Sequence, residues 1–86
     1  MKFSFDPAKS EANREKHGID FEQAQALWLD PWLLEAAART VDEPRFVSIG
    51  LIDGKHWTAV WTPQNESIRI ISVRRARKEE IAAYEG

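Results

Sequence analysis

Cysteine is absent, which excludes disulfide bridges, thiol nucleophiles and zinc–thiolate sites. The only histidines, His17 and His56, stand too far apart to suggest a metal centre. With four glycines, the chain holds no glycine-rich phosphate loop, and neither CxxC nor HExxH occurs. No apolar run is long enough to span a bilayer, and the N-terminal MKFSFDPAK turns polar too early for a signal peptide, so a soluble cytoplasmic protein is expected. Positive charge is not in excess either. Twelve Lys and Arg against 14 Asp and Glu leave a net charge of -2, which argues against nucleic-acid binding through bulk charge and confines any phosphate-binding surface to a local patch.

What is present is apolar and aromatic: 43% hydrophobic residues, with four Trp and four Phe in 86 residues, make one globular domain spanning 1–86. A core of this size is marginal unless a partner adds to it. The cations gather late. Between Ile68 and Glu80, in IRIISVRRARKEE, a β-branched run that reads as a buried strand gives way to Arg74, Arg75, Arg77 and Lys78, with Arg69 upstream. A strand that delivers guanidinium groups at its C-terminal end holds cations rigidly enough to meet phosphate; the plain alternative is a solvated strand exit.

Taken in order, Lys2 to Phe5 alternates as a short edge strand. Asp6-Pro7 opens a helix running to about Lys16, closed by Gly18. That helix is almost wholly polar, with Ala8 and Ala12 its only core-facing candidates, and it reads as a working surface. Asp20 and Gln23 form a capping box for a second helix, on which Phe21, Ala24 and Trp28, flanked by Leu27, make an apolar stripe; Asp30-Pro31 ends it. Trp32 to Arg39 reads as extended. From Arg45 the pattern is of strands: Phe46–Ile52, an Asp53-Gly54 hairpin, Lys55–Thr62, a four-residue turn over Pro63–Glu66, and Ser67–Arg74. The hairpin pairs Ile52 with Lys55 and Phe46 with Trp61; extended to the third strand, the register sets Ile68 opposite Trp61, Ile70 opposite Ala59 and Arg74 opposite Lys55. Both faces are then apolar. The short C-terminal helix from Arg77 covers little of one, so an uncovered face marks a protein partner or a homodimer. The expected class is α+β: a small antiparallel sheet, N-terminal helices packed on one face, and a short C-terminal helix.

FDPAKSEANREKHGIDFEQA, EPRFVSIG and IRIISVRRARKEE, in this order and spacing, resemble the BrnT family of bacterial type II toxins. The likeness covers most of the chain; KHGI-F and RIIS-RR carry it most specifically, and Trp28–Val41 matches least. It implies a RelE-like fold, ribonuclease activity that arrests translation, and neutralisation by a ribbon-helix-helix antitoxin of the BrnA kind, through which alone DNA would be engaged. The acidic balance departs from the basic character common among such toxins.

RNA cleavage by side chains alone needs a base for the 2′-OH proton, cations for the phosphorane and an acid for the leaving 5′-oxygen. The catalytic candidates are His17 as acid or base, Lys16, Arg74 and Arg75 as cations, and Glu80 as a supporting or second base. Arg14, Arg69, Arg77 and Lys78 are candidates for binding RNA. No cofactor or metal is called for. Strand alternation sends Arg74 and Arg75 to opposite faces, so one of the two reaches the site unless a bulge intervenes. The alternatives from other classes are a non-catalytic module whose basic end docks an acidic protein or DNA, and a structural homodimer. For His17 the plain alternative is a helix C-terminal cap.

Overall fold

The computed structural model describes residues 1–39 and 43–86, so the end of the Trp28–Val41 stretch lies outside it. The elements are β1 (Lys2–Ser4), α1 (Pro7–His17), a 3-10 helix η1 (Gln23–Leu29), β2 (Leu34–Ala38), β3 (Arg45–Ile52), β4 (Lys55–Gln64), β5 (Ser67–Arg75) and α2 (Lys78–Glu85). The sheet has five strands in the order β1-β5-β4-β3-β2. It is mixed and not purely antiparallel as expected, because β1 lies parallel to β5, with Lys2 opposite Ser67. A parallel neighbour needs a long crossover, and here almost the whole chain separates the two strands.

The first helix starts and stops as its residues require. Asp6 Oδ1 accepts the Ala8 N–H at 2.9 Å, Pro7 takes the first position, and Gly18 closes the helix at φ 82, a left-handed conformation that glycine adopts without strain. Its inward face is not the expected one. Ala8 and Ala12 are exposed, while Ser10 and Asn13 are buried. The cause is the sheet edge: β1 runs out after Arg69's row, leaving the Val73 peptide groups of β5 without a strand partner. Asn13 Oδ1 accepts the Val73 N–H at 3.2 Å, and its Nδ2 donates to the carbonyls of Val73 and Ile19 at 2.9 and 2.8 Å. Ser10 Oγ accepts the Phe21 N–H. An asparagine offers both a donor and an acceptor to a strand edge, which alanine cannot.

The Asp20–Gln23 box forms in both directions, Gln23 Oε1 accepting from Asp20 N at 3.0 Å and Asp20 Oδ1 from Gln23 N at 2.7 Å. The helix it opens is 3-10 and not α, and the apolar period shortens to three: Phe21, Ala24 and Leu27 are fully buried, with Trp28 half-buried on the flank. These three join Ile19, Trp57, Ala59, Ile70 and Val73 in one core. Burying side chains of this size stabilises the fold by roughly 2 kcal/mol each before ordering entropy is subtracted.

The register of β3 with β4 is the expected one, Ile52 opposite Lys55 and Phe46 opposite Trp61, with Asp53 and Gly54 at positive φ in the turn. The next hairpin differs. β4 continues through Pro63 to Gln64, and Asn65 and Glu66, both left-handed, form a two-residue turn, so Trp61 faces Ile70 and not Ile68. Pro63 is tolerated because it lies past the end of the β3 register. A bulge at Val60/Trp61 then places the extra residue Ile71 in β5, and Ala59 faces Val73.

Helices cover both faces. The core side carries Trp57, Ala59 and Val73 against Phe21, Ala24 and Leu27. The other carries Thr58 and Arg74, directly opposite each other, and both bond Glu80 of α2. α2 buries no residue, and Val47 and Val60 beneath its side of the sheet stay half-exposed.

Candidate functional site

The bulge decides where the cations go. Without its extra residue, the Asn65-Glu66 turn would set Arg74 opposite Trp57 on the core face; with it, Arg74 stands opposite Thr58 and Arg75 opposite Trp57. The two arginines do face opposite ways, in the reverse sense to the expected register.

Arg74 is fully engaged. Its Nη1 and Nη2 donate to the two Glu80 oxygens at 2.7 and 2.9 Å, and Glu80 also accepts from Thr58 Oγ1 at 3.1 Å and from the Arg77 N–H at 2.8 Å. The Arg74 guanidinium, helped by the Arg77 amide and Thr58 against the opposing effect of burial, holds the Glu80 carboxyl down to about 2. Such a carboxylate is a poor proton acceptor near neutrality. This cluster fastens α2 to the sheet at its first turn. At its last turn, Tyr84 donates to Asp30 Oδ2 at 2.6 Å, and His56 Nε2 meets Glu85 at 2.6 Å.

Asp30 serves the opposite sheet edge as Asn13 serves the first. Its Oδ2 accepts the Leu51 N–H at 2.9 Å, beyond the start of β2, and its Oδ1 accepts the Trp32 N–H. Burial opposes its charge, but the Tyr84 hydroxyl and the two amides outweigh it and keep the carboxyl below the usual range. The same bond pushes Tyr84 up to about 12.

Arg75 is held but unneutralised. Its Nε donates to the His56 carbonyl at 3.2 Å, and its guanidinium lies 5.3 Å from the Trp57 ring centroid. Among the described residues no carboxylate pairs with it. Trp57 also floors a cleft of about 410 Å³, bounded by Gly18, Ile19, Gln23 and Ala26 on the helical side and by Ile52, Asp53 and Lys55 on the hairpin. Immediately before Gly18, Lys16 and His17 line a second, shallower cleft of about 270 Å³ with Lys9, Asn13, Phe21, Ile71 and Ser72. The C-terminal end of α1 is thus the ridge between two clefts, with Lys16 and His17 on one side and Gly18 and Trp57 on the other. Ser72 precedes Arg74 by two residues on the same strand face, so the His17 cleft also adjoins the Arg74 side.

The remaining candidates scatter. Arg14 is paired with Glu11 on the exposed side of α1. Arg69 sits opposite Thr62, five residues before Arg74 and thus on the order of 16 Å along the strand. Arg77 and Lys78 are exposed at the start of α2. Among the described residues no three His, Asp or Glu side chains gather as a metal site. Sequence reasoning missed Thr58, which the register hid, and Trp57 as the platform for Arg75. It also missed Asn13, Asp30 and Tyr84, whose polar side chains give no signal of burial.

This is a small α+β protein with a mixed sheet, in which a charged cluster forms where β5 ends and α2 begins. A family model described as the ribonuclease toxin, BrnT, of type II toxin-antitoxin system matches residues 5–80. The chain belongs to that family. No curated protein matches it.

Proposed function

We propose that this protein is an active endoribonuclease toxin, RelE-like in fold, that cuts RNA with side chains alone and thereby arrests translation in the cytoplasm. The observation that carries the reading is Arg75: exposed, yet held by the His56 carbonyl and the Trp57 ring, it has no carboxylate partner among the described residues, while its neighbour Arg74 is paired with Glu80. A pinned, unpaired guanidinium stabilises phosphorane charge at little reorganisation cost. His17 and Lys16 line the neighbouring cleft across the end of α1, and the RNA backbone is proposed to span both. In the reaction, a base takes the 2′-OH proton and O2′ attacks phosphorus. The P–O5′ bond breaks as an acid protonates the leaving oxygen, giving a 2′,3′-cyclic phosphate and a 5′-hydroxyl. His17 serves as that acid or base. Arg74 and Glu80 position α2, and the second proton-transfer role passes away from Glu80, whose carboxyl is held too low. Arg14, Arg69, Arg77 and Lys78 contribute at most peripheral contacts to RNA.

The half-covered face beside α2, with Val47 and Val60, suits the ribbon-helix-helix antitoxin expected of such a pair or a second copy of the chain. Leu29 at the end of η1 and Trp32 just beyond it, 83% and 77% exposed, favour the rival reading of a protein-docking module without catalysis.

Expression from a tightly repressed promoter, alone and with the neighbouring reading frame, separates these. Growth arrest and RNA loss relieved by the neighbour are expected. His17→Ala and Arg75→Ala should each lower cleavage by roughly 100-fold or more, and cleavage should persist in a chelator. RNA left intact by folded, antitoxin-free protein would establish the docking module instead.

A further inference from the structure

The two sides of the sheet end differently. On the β5 side, Asn13 closes the peptide groups of Val73 that β1 does not reach. On the β3 side, Asp30 closes the Leu51 N–H that lies past the start of β2. β2 itself, the outermost strand there, has no such cover. Glu35, Ala36 and Ala37 are exposed, and the register with β3 runs from Leu34 to Ala38 without a bulge. Leu34–Ala38 holds neither proline nor lysine, the common guards against strand addition.

Which of its peptide groups are free follows from the neighbouring hairpin. The two-residue Asp53-Gly54 turn makes Ile52 and Lys55 a hydrogen-bonded pair, so Ile52, Gly50, Ser48 and Phe46 of β3 bond β4. Leu51, Ile49 and Val47 therefore turn their peptide groups toward β2, and the bond from Leu51 N–H to Asp30 agrees. Ile49 faces Leu34 and Val47 faces Ala36, so Leu34 and Ala36 direct their N–H and C=O groups inward. Glu35 and Ala37 direct theirs outward, where the described residues supply no strand.

Such an edge can pair with an identical one across a two-fold axis, which makes the two strands antiparallel. Centred on Ala37, the pairing exchanges two hydrogen bonds between the two Ala37 residues. It also sets Glu35 opposite Arg39 of the second copy, twice, Arg39 being the residue that follows β2. Glu35, Ala37 and Arg39 alternate onto one side of the strand, so each carboxylate meets a guanidinium across the join. Within the chain neither has an ion-pair partner among the described residues. A centre at Ala36 faces Glu35 with alanine, and a centre at Glu35 faces it with itself. Charge therefore selects the Ala37 register.

We infer that β2 is a self-complementary edge through which two copies of this chain join their sheets into one. The surface is distinct from the half-covered face beside α2, and the inference does not need the ribonuclease reading. A five-residue strand makes a small interface, so the dimer should be half-formed only at a concentration on the order of 100 μM.

Sedimentation equilibrium of the full-length protein measures the association, and amide exchange locates it. Glu35→Arg and Arg39→Glu should each weaken association by about tenfold, because each sets like charges opposite one another twice. The double variant should restore it. Ala37→Pro, at an N–H that β3 does not use, should abolish the dimer while leaving the monomer folded. In the unaltered protein the Glu35 and Ala37 amides should gain protection as concentration rises. A chain that stays monomeric up to about 1 mM would overturn the edge pairing. So would a dimer whose Glu35 and Ala37 amides exchange freely, association that both single charge reversals leave intact, or protection of those amides that appears only when a different protein is added.

Discussion

Glu80 shows how one carboxylate can decide the fate of a helix. Its depressed folded value, about 2 against 4.5 for the free group, means that the stabilisation is complete above pH 4.5 and is lost as pH falls toward 2. Between those limits stability should drop by on the order of 2 kcal/mol, allowing for partial solvent screening, and α2 signals should report the change first in an acid titration followed by NMR. Glu80→Gln should flatten that acid limb. Asn13 carries a comparable load with no charge. Asn13→Ala strips partners from the buried peptide groups of Val73 and the carbonyl of Ile19 and should cost about 3 kcal/mol in urea denaturation. Asn13→Asp should be no better, since a carboxylate keeps the acceptor but faces two carbonyl oxygens. Nothing in the sequence marked Asn13, because an amide in a polar helix reads as surface until the strand edge beside it is known.

At the scale of elements, turn chemistry set the register and the register set the site. Asn65 and Glu66 both adopt positive φ, and only the first is a residue that does so readily. Glu66→Gly should therefore stabilise the hairpin by up to about 1 kcal/mol, raising the denaturation midpoint without altering the fold. Gly50 is the opposite case. A Cβ there would meet Leu33 Cδ1 at 3.0 Å, and Asp30 Oδ2 and Leu27 Cδ2 at 3.1 Å, so Gly50→Ala should cost about 1–2 kcal/mol by the same measurement. The elements themselves were largely legible. Asp6-Pro7, Gly18, the Asp20–Gln23 box and Asp53-Gly54 each carry local chemistry that survives tertiary context. The second hairpin was not, because Pro63 imitates a turn residue and a bulge leaves no mark in a β-branched run. That single unread residue reversed the faces of Arg74 and Arg75. The 3-10 period of Phe21, Ala24 and Leu27 was hidden likewise, since over seven residues periods of three and 3.6 select nearly the same positions.

The molecule as a whole is acidic, so the RNA binding proposed above rests on a few placed cations. If Lys16, Lys55 and Arg75 make the phosphate contacts, log affinity against log salt for a single-stranded RNA should slope at about −2, and Arg75→Ala should bring it nearer −1.4. A much steeper slope would mean that Arg69, Arg77 and Lys78 also bind. Every part of this surface leans on β5: β1 pairs with it along Lys2–Ser4, α1 docks on it through Asn13 across a sequence separation of 60, and the cations stand at its end. Synthesis proceeds from the other terminus. While β5 is still inside the ribosome, the first helix has no edge to grip and the proposed site lacks Arg74 and Arg75. A chain stopped at Gln64 should leave the α1 amides unprotected from exchange, and premature products should be harmless. A chain that has not yet released β5 thus lacks the surface on which the proposed activity depends.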